Sequence, residues 1–326
     1  MKYKKIAKRA VFIILLLALF IFVNNSSMFT KDRNGEPMLL AHRGLGQTFD
    51  MVGITGDTCT AERIFEPEHH YLENTISSIK AAFDAGADIV EIDIHPTKDG
   101  EFAIFHDWTL DCRTDGEGTT REHTMEDLKQ LDVGYGYTAD NGKSYPFRGM
   151  GVGLMPTLDE VLEEFPNNSF LIHIKSNDAE EGSQLALYLS KYTDSRIESL
   201  SVYGGDKPIA TFKETLPNMR VMSKETMKSC LIPYLAVGWT GYVPSSCENT
   251  QLHIPETYFT YLWGYPNKFL NRMESVDTRV ILVAGNGGWS EGFDQVQDLE
   301  RLPKGYTGGI WTNRIDIIAP LIQAQD

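Results

Sequence analysis

The 326-residue chain is longer than an ordinary single domain and suits either two domains or one α/β barrel of roughly 250 residues. Hydrophobic residues make up 42% and charged residues 23%, a composition that supplies a full core and argues against disorder. The formal net charge is −15, and five cations (Lys2, Lys4, Lys5, Lys8 and Arg9) precede the first acid, Asp32; the remaining body is more acidic still, which excludes a nucleic-acid partner.

Those cations flank Ala10 to Val23, fourteen consecutive apolar residues. A basic flank before a short apolar run is the pattern of an export signal, and fourteen residues is short for a free-standing span. The following Asn24-Asn25-Ser26-Ser27 lacks an A-x-A-like cleavage site, so the expectation is an uncleaved signal anchor over residues 1–30, cleavage and secretion being the alternative. Either way the body is exported. Cys59, Cys112, Cys230 and Cys247 then meet an oxidising compartment in which two disulfides can form, with three connectivities open.

Residues 24–37 form a polar linker, and Met38-Leu39-Leu40-Ala41 is a short strand ending at His42-Arg43-Gly44. A helix is expected from about Asn74 to Ala85, with Ile76, Ile79 and Phe83 on one face and Gly86 as its stop. The next strand, Asp88 to Ile94, places Glu91 and Asp93 on one face and Val90, Ile92 and Ile94 on the other. Two acids within an apolar run call for a nearby cation, because burying unpaired carboxylates is costly. The bland alternative is a half-exposed edge strand. Phe102 to Phe105 is a further strand ending at His106-Asp107, and helices with capping-box starts are expected at Thr124 and Thr157.

Ser169 to Lys175 repeats the arrangement, with His173 and Lys175 at i and i+2 near a strand end. Further strands are expected at Leu200–Tyr203, Arg220–Met222, Arg279–Val283 and Gly309–Trp311, with helices at Glu180–Tyr192 and Gly292–Leu299. About eight strand–helix units imply a parallel sheet closed into a (β/α)8 barrel over residues 37–326, with a long 45–72 loop insertion. In such a barrel His42, Arg43, Glu91, Asp93, His106, His173 and Lys175 meet at one rim, a setting for a metal and a phosphate ester. The aromatic-rich stretch Trp239 to Phe269 has core packing as its default and a membrane-facing surface as its rival.

His42-Arg43-Gly44, Glu73-Asn74-Thr75, Glu91-x-Asp93, Lys98-Asp99-Gly100 and His106-Asp107 resemble, in order, the motifs of the glycerophosphodiester phosphodiesterase family. The resemblance is close from residue 73 to 107 and weak from about 195 to 275. It implies a TIM barrel that hydrolyses glycerophosphodiesters to an alcohol and glycerol 3-phosphate. It also implies His42 and His106 as the acid–base pair, Arg43 and Lys175 as phosphate ligands, and Glu91, Asp93 and Glu73 as metal-binding acids. Three departures stand out. His173 occupies the place of a metal-binding Glu, so the divalent ion expected as Mg²⁺ or Ca²⁺ has Mn²⁺ or Zn²⁺ as competitors. The 45–72 segment is longer than the family's linker and carries Phe49, Met51, Ile54, Phe65 and Tyr71, either as a lid or lipid-side wall or as a loop packed for stability. The strand end Trp311-Thr312-Asn313 has Asn where the family often has an acid, and Trp311 is a candidate substrate contact. The substrate is a small or lipid-derived phosphodiester. The rival activities are a lysophospholipase D-like one and a non-catalytic polyol-phosphate-binding barrel, the latter disfavoured because binding alone needs no acid–base pair.

Overall fold

The computed structural model describes all residues except 1, 31–34, 57, 289–290 and 325–326, so part of the expected linker and of the 45–72 insertion lies outside the described residues. Nine strands follow in chain order: β1 (Met38–His42), β2 (Ile89–Pro96), β3 (Phe102–Ile104), β4 (Ser169–Ile174), β5 (Leu200–Gly204), β6 (Arg220–Met222), β7 (Gln251–Pro255), β8 (Arg279–Val283) and β9 (Gly309–Thr312). Eight of them run parallel in the order β6-β5-β4-β2-β1-β9-β8-β7. The ring closes where Val221 bridges Thr250, whose Oγ1 donates to the Val221 carbonyl at 2.8 Å. This is a (β/α)8 barrel. Strand β3 stands outside the ring, antiparallel to β2, so His106 reaches the rim from the loop after β3 and not from a barrel strand as expected.

Alternation along each strand separates two cores. Leu40, Ile89, Leu171, Ile281 and Trp311 fill the lumen. Leu39, Ala41, Val90, Ile92, Ile94, Phe170 and Ile172 face outward into a larger core shared with the helices. All eight residues of β2 are buried, and the strand is paired on both sides, which overturns the edge-strand alternative. Helix Ile76–Ala85 starts at a Thr75 capping box and stops at Gly86, whose φ of 113° suits glycine. Capping boxes also start the helices at Thr124 and Thr157.

Strand β7 was not expected. It lies in the aromatic-rich stretch, of which Phe259 and Phe269 are core while Tyr258 and Tyr261 are exposed. The expected helix at Gly292–Leu299 shrinks to Val296–Leu299, because the Phe293 N–H donates to the Trp311 carbonyl at 2.8 Å and Asp294 caps the end of β9.

The N-terminal helix runs over Lys2–Asn25, 24 residues, and its exposed Tyr3–Asn25 stretch is long and apolar enough to cross a membrane. The helical residues before Ala10, with Asn24 and Asn25 after Val23, supply the missing length. Its last carbonyls are capped by cations of the body: Lys268 Nζ and Arg272 Nη2 each donate to the Asn24 carbonyl at 3.0 Å.

The 45–72 insertion is tied down at several points. Phe49 bridges Ile64, Arg63 pairs with Asp50 at 3.0 Å, and Gln47 donates to the Tyr71 carbonyl at 2.7 Å. Of the three possible connectivities, the structure pairs Cys59 with Cys112 and Cys230 with Cys247. The first of these closes a 53-residue separation, for which chain entropy gives about 4 kcal/mol. The double variant Cys59→Ser/Cys112→Ser is therefore expected to lose about 2–5 kcal/mol of unfolding free energy in denaturant titrations. An unchanged midpoint would mean that the insertion is held by its other contacts alone.

Candidate active site

Strand register brings the polar residues together. Across β1 and β2, His42 is level with Glu91; across β2 and β4, Asp93 is level with His173; across β4 and β5, His173 is level with Tyr203. The sharp exit from β1 needs Arg43 at φ 58° and Gly44 at φ 77°. A Cβ on Gly44 would lie 2.7 Å from Ser78 Oγ and 2.9 Å from that residue's backbone, so only glycine lets the chain pass.

Glu91 and Asp93 are both fully buried. Asp93 accepts from Asn74 Nδ2 at 3.0 Å, lies 2.8 Å from His173 Nδ1, and faces Arg43 Nε at 3.2 Å and Lys175 Nζ at 3.4 Å. Burial works against its charge, but Lys175 and Arg43 outweigh burial and hold its carboxyl well below the usual range. Glu91 is less well served, accepting from Tyr203 Oη at 2.7 Å and the Arg43 N–H at 3.2 Å. Burial, with Asp93 beside it, pushes Glu91 up to about 8. Burial and then Lys175 lower His173 to about 4, so its imidazole is neutral. One oxygen or nitrogen from each of Glu91, Asp93 and His173 lies within 4.8 Å of the others. An under-compensated buried carboxylate, a charged one and a neutral imidazole are a donor set that fits a divalent cation. Glu73, expected among the metal-binding acids, lies apart from this trio, between Arg43 Nη1 at 3.1 Å and Arg113 Nη1 at 3.2 Å.

Each candidate catalytic histidine is oriented through Nδ1. Asn313 Nδ2 donates to Asp294 Oδ2 at 2.8 Å, which turns Asn313 Oδ1 towards His42 Nδ1, 2.7 Å away. His42 Nδ1 is then the protonated nitrogen, and Nε2 carries the lone pair. His106 Nδ1 lies 2.6 Å from Asp107 Oδ1, and Asp107 Oδ2 accepts from Arg113 Nε at 2.8 Å. Burial opposes the Asp107 charge, but Arg113 and His106 hold its carboxyl far below the usual range. Burial, then Arg43, lowers both histidines, His42 the more strongly.

Arg43 is buried and paired on two sides, its Nη1 with Glu73 and its Nε with Asp93 at 3.2 Å, where the angle falls short of a hydrogen bond. Trp311 is buried in the lumen with its ring centroid 4.6 Å from that of His42, placing it beneath the histidine as barrel filling. Sequence reasoning gave no site role to Tyr203, His253, Asp294, Arg113, Asn313 or Asp107. Tyr203 stacks on His173 at 4.0 Å and 16°. His253 lies beyond it, 2.7 Å from Gln251 Nε2, and burial lowers it to about 3. For His106 the signal was adjacent, in the acid that follows it; for the others the partner is distant in sequence.

Asp107 gives a pH-dependent prediction. Its folded pKa lies below the ordinary value of about 3.9, so its pairing stabilises fully above that value and is lost as pH falls through the depressed one. Asp107→Asn leaves Arg113 half-paired in a buried site and is expected to cost about 3 kcal/mol at neutral pH. Between pH 7 and about pH 4 the gap between the denaturant midpoints of variant and wild type should hold, and from there down to pH 2 it should narrow without closing. Parallel curves would rule Asp107 out as the source.

A sequence model of the glycerophosphoryl diester phosphodiesterase family matches residues 42–238. The glycerophosphodiester phosphodiesterase of Caldanaerobacter subterraneus subsp. tengcongensis is 39% identical over 103 residues, 32% of this chain and 39% of that protein. That of Bacillus subtilis is 35% identical over 144 residues, 41% of this chain and 48% of that protein. The chain thus spans less than half of the length of each of these two curated relatives. Among solved structures, the glycerophosphoryl diester phosphodiesterase domain of an uncharacterized Mycobacterium tuberculosis protein superposes with TM-score 0.61 at 17% identity, covering 90% of this chain and 100% of that one. An Oleispira antarctica phosphodiesterase in complex with the product sn-glycerol-3-phosphate superposes with TM-score 0.54 at 18% identity, covering 88% and 97%. These structures share the fold. With the family model spanning more than half of its length, the chain belongs to the glycerophosphoryl diester phosphodiesterase family.

Proposed function

We propose that the chain hydrolyses glycerophosphodiesters to an alcohol and glycerol 3-phosphate at the barrel rim. The observation that carries this is the pairing of two imidazoles, each with Nδ1 tied down, with a buried acid pair short of positive charge. Family membership and the product complex of the Oleispira relative support the same substrate class.

Glu91, Asp93 and His173 would hold one divalent ion, which when bound supplies Lewis-acid polarisation of the phosphoryl oxygens. The carboxylates favour Mg²⁺ or Ca²⁺, and His173 admits Mn²⁺ or Zn²⁺. Arg43 and Lys175, both set against Asp93, hold the phosphate; Glu73 keeps Arg43 aimed. The partners of the histidines divide their labour. A carboxylate behind an imidazole stabilises the imidazolium, so His106, backed by Asp107, is the general acid. A neutral amide does so less, so His42, backed by Asn313, is the general base. His42 Nε2 takes a proton from the attacking water as its oxygen bonds to phosphorus, and His106 delivers a proton to the departing alcohol oxygen as its bond to phosphorus breaks.

The setting we propose is extracytoplasmic: residues 37–326 as one barrel held by the apolar helix, with Lys4, Lys5, Lys8 and Arg9 on the cytoplasmic side. The two disulfides support an oxidising compartment.

Three measurements follow. Stripped of metal, the protein should release no alcohol from glycerophosphocholine and should recover with a restored divalent ion; turnover in excess chelator would sink the metal assignment. His42→Ala and His106→Ala should each lower kcat by about 10²- to 10⁴-fold. With a p-nitrophenyl ester, whose leaving group needs no proton, the His106→Ala defect should shrink while the His42→Ala defect persists; the reverse pattern exchanges the roles. His173→Glu should move metal preference towards Mg²⁺ and Ca²⁺, and an unaltered preference would remove His173 from the ligand set.

A further inference from the structure

A cavity of about 330 Å³ begins at His42 and Arg43 and continues outward beneath the 45–72 insertion. Its volume is at the lower end for small-molecule sites, room for one arm of a ligand. Phe49, Met51 and Phe65 of the insertion line it, and Phe65 is 56% exposed. An aromatic residue left so open on a segment that is otherwise pinned is unlike the packing of a loop folded only for stability. Ile64 and Leu72 of the same segment are buried in a core shared with Phe105, Leu110 and Tyr137, so the insertion is packed onto the body and still presents Phe49, Met51 and Phe65 to the cavity.

The charged groups in the wall are engaged elsewhere. Arg314 pairs with Glu68 at 2.7 Å and Asp316 at 3.0 Å, and Asp294 accepts from Asn313. Glu73 is held between Arg43 and Arg113. Beyond the Arg43 guanidinium at the phosphate end, the cavity has no uncommitted charge among the described residues to recognise a second ionic group. An apolar wall preformed by a disulfide, a strand bridge and an ion pair binds methylenes without an ordering cost.

We infer that this cavity is a subsite for a hydrocarbon chain, and that the preferred substrates are phosphodiesters bearing an alkyl or acyl chain on one arm, as in a lysophospholipid. The inference rests on the proposed phosphodiesterase reading for where the phosphate sits. The bond broken is unchanged; the subsite selects the diester presented to it.

Alkylphosphocholines of increasing chain length, kept below their micelle concentrations, test the subsite by calorimetric binding. Affinity should climb by up to about fourfold per added methylene and then level off as the cavity fills. In the double variant Met51→Ala/Phe65→Ala the long-chain affinity should fall at least tenfold and the dependence on length should flatten, with Met51→Leu/Phe65→Leu restoring most of it. Affinity independent of length in the wild-type protein overturns the inference, as does a variant that weakens short and long probes equally. Turnover separates the two proposals: a chain-length gradient in binding with no hydrolysis of glycerophosphocholine or lysophosphatidylcholine would discard the enzymatic reading and keep the subsite.

Discussion

Two carboxylates with no solvent exposure, Glu91 and Asp93, set the terms for the upper half of the barrel. Ionised groups in such a place cost several kcal/mol each unless surrounded by opposite charge and donors. Asp93 obtains both from Arg43, Lys175, Asn74 and His173. Glu91 obtains one hydroxyl and one N–H. That inequality is the basis of the site: one acid is stably charged, and the other retains a proton unless a cation arrives. The left-handed turn at Arg43 and Gly44 exists to put a guanidinium against these acids immediately after β1.

From Asp93 the interactions spread along one connected path. Arg43 joins Asp93 to Glu73, Glu73 joins Arg43 to Arg113, and Arg113 joins Glu73 to Asp107 and thence to His106. Arg113 also donates to Tyr137 Oη at 2.6 Å and to Thr60 Oγ1 at 2.5 Å. Thr60 follows Cys59, and Arg113 follows Cys112, so the disulfide between those cysteines fixes the insertion to the residue that aims the second histidine. The insertion is thereby part of the structure that orients the site, as well as a wall beside it.

What could be read in the sequence was what is local. Alternation along β2 and β4 separates the polar lumen positions from Val90, Ile92, Phe170 and Ile172, and strand ends are marked by where the polar residues stop. The capping boxes at Thr124 and Thr157 are four-residue signals and were visible for that reason. Strand β7 was not, because its lumen face carries Gln251 and His253, so Gln-Leu-His-Ile-Pro has no apolar run to announce it. The helix expected at Gly292 failed because Phe293 and Asp294 bond to the end of β9, a tertiary interaction with no sequence signature. Tyr203 and Asn313 take their roles from partners more than 100 residues away.

The departure at His173 shows why local and distant information must be read together. In sequence it is an imidazole where a carboxylate is expected. In the structure Tyr203 lies flat against its ring at 4.0 Å while its hydroxyl holds Glu91. A carboxylate offers no ring for that face, so Tyr203 would secure one neighbour instead of two. A third acid at this half-buried position would also need a further cation beside Glu91, which is already the poorly compensated member of the pair. Imidazole at 173 sets a nitrogen beside the two acids without adding charge, and the aromatic residue next to it lies flat against that ring. The substitution is therefore built into its surroundings, on a strand whose own sequence gives no hint that the neighbouring strand supplies the support.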